Sequence, residues 1–99
     1  MRLVLSISAL CLALAAPAAA QSPAGTRLVL ADAARAPARS TIIDGANWRC
    51  EGQSCTASGG AAQPASRACR RVVARFGPVT EFTWKGETLS AEQLAACNA

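Results

Sequence analysis

The chain has 99 residues, ten lysines and arginines against six aspartates and glutamates, and neither histidine nor tyrosine. Without histidine there is no Ser/His or Cys/His nucleophile, no His-ligated zinc and no imidazole proton shuttle. The formal charge of +4 favours solubility and is too mild to imply a nucleic-acid partner.

Residues 1–20 carry the three parts of an export signal. Arg2 supplies the positive end, residues 3–16 the apolar stretch, and Ala18, Ala19 and Ala20 the small-residue exit. Cleavage is expected after Ala20, leaving Gln21 as the new N-terminus. The apolar run, broken by Ser6 and Ser8, is shorter than the roughly 20 residues a membrane-spanning helix needs, so it targets and does not anchor. Leu10, not a small residue, precedes Cys11, so Cys11 is expected to leave with the signal rather than carry a lipid. What remains has nine cations and six acids, a charge of +3. A chain of about 80 residues forms one domain with a marginal core, and covalent staples become valuable there.

Residues 21–25 read as a frayed leader. Leu28, Val29 and Leu30 make residues 27–31 a short buried strand. Residues 32–40 hold Pro37 and no apolar period, so they read as a connection with room for a short helical turn. Thr41, Ile42 and Ile43 give a second β-branched run, ended or bulged at Asp44 and Gly45. Residues 46–57 then form two extended runs around the four residues 51–54, with Gly52 among them. This predicts a β-hairpin with Cys50 and Cys55 facing each other across it. Residues 58–65 form a flexible link.

Residues 66–76 have the clearest helical period. Ala68, Cys69, Val72, Val73 and Phe76 share one arc, and Arg67, Arg70, Arg71 and Arg75 the opposite one. Gly77 and Pro78 stop the helix. Residues 79–84 alternate as a half-buried strand should, with Phe82 and Trp84 on one face and Glu81 and Thr83 on the other. After a Lys85-Gly86 turn, Ser90 and Gln93 supply a capping box, with Leu89 and Leu94 at the staple positions. Glu92 suits the helix dipole. Cys97 lies one turn beyond Leu94 on the same face.

Cys50, Cys55, Cys69 and Cys97 are an even set in a chain bound for an oxidising compartment, and structural disulfides are the favoured reading. A four-cysteine metal site would want closely spaced pairs, and Cys69 and Cys97 stand far apart. A redox-active pair would want C-x-x-C at a helix start, whereas Cys50 and Cys55 flank a hairpin. Of the three pairings, Cys50 with Cys55 and Cys69 with Cys97 is expected. The hairpin joins the first pair, and both helices turn the second toward one core.

No spacing pairs two of Asp32, Asp44, Glu51, Glu81, Glu87 and Glu92 for acid and base work, and so small a domain has little room for a cleft. No enzymatic activity, cofactor or metal is expected. The arginine arc has two readings, a solvated helix face and an anion cradle. Arg67, Arg71 and Arg75 recur every four residues with no acid between them, which aligns guanidinium groups for phosphate or carboxylate, as on anionic headgroups. Trp48 and Trp84 likewise read as core, or else as exposed anchors for a ligand.

The run of Trp48, Cys50, Gly52 and Cys55, then Arg67, Ala68 and Cys69, then Phe76 with Gly77, then Leu94, Cys97 and Asn98 resembles a family of short exported alphaproteobacterial proteins of unknown function. The similar pattern is W-x-C-x-G-x-x-C, a central A-C helix, an F/V-G turn and a closing L-x-x-C-N, over residues 41–99. The resemblance implies an exported, periplasmic setting and a shared cysteine framework. It brings no activity, ligand or catalytic residue.

The expected organisation is a signal peptide at 1–20, a leader with a short strand and connection at 21–40, and a disulfide-stapled core at 41–99. The expected fold class is α+β. A small antiparallel sheet, built from strands near Arg27, Thr41, Trp48, Cys55 and Val79, is covered on one face by two short helices. The favoured function is a non-enzymatic binding or envelope-associated module, periplasmic or secreted. Its candidate partners are anionic envelope components, not nucleic acid, and no transmembrane segment follows signal removal. The alternative is a small thiol-disulfide redox participant. An inhibitor presenting the loop between Cys50 and Cys55 is a third reading.

Overall fold

The computed structural model describes residues 25–99, so the expected signal segment and its cleavage point lie outside the described residues. Six strands, β1 (Thr26–Leu30), β2 (Thr41–Ile43), β3 (Ala46–Glu51), β4 (Ser54–Gly59), β5 (Val79–Trp84) and β6 (Glu87–Thr88), join two helices, α1 (Ala65–Phe76) and α2 (Ala91–Asn98). The strands form one antiparallel sheet in the order β2-β3-β4-β1-β5-β6. The fold is α+β, stapled by Cys50–Cys55 and Cys69–Cys97.

Period-two alternation decides which face is covered. Thr26, Leu28 and Leu30 of β1, Ala46 and Trp48 of β3, Cys55 of β4, and Phe82 and Trp84 of β5 are buried, while Arg27, Asn47, Arg49, Thr56 and Glu81 between them are exposed. Helix α1 turns Ala65, Ala68, Cys69, Val72 and Phe76 into the same core. Trp48 stands at its centre, edge-on to Phe76 at 6.4 Å and tilted against Phe82 at 6.2 Å, and Phe82 stacks on Trp84. Both tryptophans are therefore core residues, 0% and 3% exposed, and neither is a surface anchor.

The hairpin is tighter than the sequence suggests. Its strands run on to pair Glu51 with Ser54, which leaves Gly52 and Gln53 as a two-residue turn. Gly52 takes a φ of 64°, the left-handed conformation such turns require and glycine adopts without steric cost. The ladder sets Cys50 directly opposite Cys55, with Cα atoms 3.9 Å apart.

A capping box and two long-range contacts fix the helix ends, and local pattern predicts only the first. Ser90 and Gln93 form the expected capping box: the Ser90 N–H donates to Gln93 Oε1 and the Gln93 N–H to Ser90 Oγ. At the other end of α2, the Asn98 side chain pairs with the Val79 backbone, giving the closing C-N of the sequence pattern a structural role. The connection after β1 forms a 3₁₀ turn, Ala33–Arg35, from which Arg35 Nε donates to the Phe76 carbonyl at 3.1 Å. That carbonyl is one of those a helix end leaves unpaired. Gly77, at φ 88°, makes room for Arg35, because a Cβ there would run into the guanidinium.

Two further differences have local causes. Helix α1 begins at Ala65 behind Pro64, without a side-chain cap, so its apolar face rather than its start signal holds it in place. Strand β6 is only two residues long, below the length at which alternation can be read. It covers Thr83, whose Oγ1 lies 2.9 Å from Thr88 Oγ1, so Thr83 is buried although it faces away from the core.

Candidate functional site

Because α1 spends its apolar arc on the sheet, its opposite arc faces outward and carries Arg67, Arg70, Arg71 and Arg75. These four side chains, with Ile43 at the end of β2 and Ala74, line an open groove of about 460 Å³. The groove borders the β2–β3 connection, where Asp44 and Gly45 take φ angles of 49° and 81°. This left-handed pair matches the twist of a two-residue hairpin, and aspartate and glycine tolerate it well.

The turn aims Asp44 at the helix. Arg71 donates through Nη2 to Asp44 Oδ1 at 2.8 Å and through Nε to Oδ2 at 3.0 Å, and Gln63 Nε2 donates to Oδ2 at 3.3 Å. These bonds, those from Arg71 first, hold the Asp44 carboxyl below its ordinary pKa, with the nearby charge of Arg67 adding to the effect. The same pairing raises Arg71.

The stripe of Arg67, Arg71 and Arg75 thus exists, with one correction. An acid absent from the helix reaches it from 27 residues away, so Arg71 is partnered. Arg67, Arg70 and Arg75 have no ion pair among the described residues. Arg70, outside the expected stripe, lines the groove with the other three. The four arginines of the groove and the aspartate paired to Arg71 at its border together carry a net +3, the whole excess of the chain beyond residue 20. The other five cations in that part are matched by five acids.

The cysteines differ in exposure. Cys55, Cys69 and Cys97 are buried, and Cys50 is half-buried. All four sulfurs are taken up in disulfides. Among the described residues no three His, Cys, Asp or Glu side chains are grouped as metal ligands. No helix among them is long and apolar enough to cross a membrane.

Residues 9–99 match the model of a family of unknown function. No curated protein and no solved structure matches the chain.

Proposed function

The chain belongs to that family, DUF8200, and we propose that it is an exported, non-enzymatic binding module whose arginine groove docks on anionic components of the cell envelope. One observation carries the reading: the net charge of the domain is gathered in a single groove while the rest of its surface is balanced. A merely solvated helix face needs no such segregation, whereas guanidinium groups in a row suit phosphate and carboxylate recognition.

The test is binding of the purified protein to vesicles of anionic and of zwitterionic lipid over a salt series. Binding to anionic vesicles alone, weakening as salt rises through the screening range, supports the reading. Replacing Arg67, Arg71 and Arg75 together by Gln should abolish it while leaving the fold intact. No binding at low salt sinks it.

A second reading, thiol-disulfide exchange, draws on Cys50, which is half-buried where the other three bonded cysteines are buried. Thiol titration under mild reductant separates the two. A redox participant yields two free thiols readily and a purely structural framework yields none.

A further inference from the structure

We propose that the groove takes a phosphate-class oxyanion and that this ligand binds by displacing the Asp44 carboxylate from Arg71. The inference rests on the groove being the binding face and adds what occupies it.

Asp44 holds Arg71 as an external oxyanion would, accepting two parallel N–H bonds from one guanidinium fork. The groove therefore already contains a tethered stand-in for its ligand. Arg71 is exposed, at 58% of its side-chain area, and Asp44 is half-buried, at 19%; the pair lies at the surface with one open side, where an ion pair contributes little and opening it costs little. Tethering nonetheless gives Asp44 a high effective concentration, and a free carboxylate of equal charge gains nothing by replacing it. A phosphate group does gain. It has more acceptor oxygens and more charge, and Arg67 and Arg75 stand one helical turn, roughly 5–6 Å, to either side of Arg71 to receive them. Ile43 and Ala74 add an apolar wall, which tolerates an ester substituent. A lipid headgroup and a free phosphate share this chemistry.

Asp44→Asn is the discriminating variant. Asparagine accepts the left-handed turn that Asp44 occupies and removes the competing charge; Asp44→Gly, equally at home at positive φ, is the second variant should the first fold poorly. Inorganic phosphate is titrated calorimetrically against the wild type, Asp44→Asn, Arg71→Gln and the double variant. Parallel flotation uses vesicles of phosphatidylglycerol in phosphatidylcholine. The Asp44 variants should bind about five- to tenfold more tightly, within the usual range of a coupling between two sites, and Arg71→Gln should cancel the gain. A gain with both probes supports the shared chemistry, and a gain confined to one names the source. If wild type binds and the Asp44 variants bind equally or more weakly, Asp44 positions Arg71 instead of competing for it, and the displacement idea falls while the groove reading stands. If neither wild type nor variants bind either probe, both fall.

Discussion

Asn98 closes the domain onto Val79, its Oδ1 accepting the Val79 N–H at 2.9 Å and its Nδ2 donating to the Val79 carbonyl at 2.8 Å. The side chain stands in for a strand where β5 begins, beside the point at which the β1–β5 register shifts. Asn98→Ala leaves both backbone groups without this partner in a partly buried place, which should cost about 1–3 kcal/mol. For a domain of this size each kcal/mol lowers the melting temperature by roughly 4–8 °C. Asn98→Asp should be worse, since its second oxygen faces the Val79 carbonyl. Thermal melts of the oxidised proteins check this, and an unchanged Asn98→Ala midpoint would refute it.

Gly77 and Arg35 form a coupled pair. Gly77→Ala must place a Cβ against the Arg35 guanidinium and keep a non-glycine residue at φ 88°. The expected loss is about 2–3 kcal/mol, part backbone strain and part the displaced cap on the Phe76 carbonyl. Arg35→Ala removes the cap and the clash together, so the two losses should combine to less than their sum in a double-mutant cycle. Strict additivity would show that Gly77 matters for its backbone alone.

How much of this was legible depends on the sequence distance of the partners. The β-branched run at Thr41–Ile43, the arginine-backed helix and the Ser90–Gln93 box announce themselves locally, because their signals are periodicity and capping. The cysteine pairing followed from those elements, since the hairpin joins Cys50 to Cys55 and two apolar helix faces carry Cys69 and Cys97 into one core. The Arg35 and Asn98 contacts, 41 and 19 residues from their partners, leave no local mark. The same holds for Asp44, which the sequence marks only as the end or a bulge of the run before it, while its aim at Arg71 depends on where α1 lands. The groove was thus half readable, its cations from the helical wheel and its resident carboxylate only from the fold.

Acid should weaken the link between Asp44 and Arg71 in a defined direction. The Asp44 carboxyl sits below its ordinary value in the folded state because Arg71 and Gln63 hydrogen-bond its charged form. The unfolded chain therefore binds the proton first, and the contribution is present above the unfolded pKa of about 4 and lost as pH falls through the folded one. Wild type should lose more melting temperature than Asp44→Asn on acidification below about pH 4. Equal losses would mean that the ion pair does not persist in solution.

The proposed export makes a prediction about mass. Protein recovered from the periplasm should begin at Gln21, and its intact mass should fall short of the fully reduced chain by the hydrogens of four thiols. A retained N-terminus, or a mass matching free thiols, contradicts the exported, oxidised reading.

The two disulfides should matter unequally. Cys50–Cys55 closes a small ring that the ladder already draws together on both sides, with Arg49 opposite Thr56 and Glu51 opposite Ser54. Cys69–Cys97 spans 28 residues and joins α1 to α2, whose one fully buried residue is Cys97 itself. Loop-entropy estimates give roughly 2 kcal/mol for the small ring and roughly 3.5 kcal/mol for the large one. Total stability of a small domain is about 5 kcal/mol, so losing the larger ring removes most of it. Cys69→Ser or Cys97→Ser should leave little folded protein at about 37 °C, while the Cys50→Ser, Cys55→Ser double variant should fold and melt lower. Circular dichroism and thermal melts measure both. A Cys97→Ser protein as stable as the wild type would show that Leu94 packing and the Asn98–Val79 bonds hold α2 without its staple.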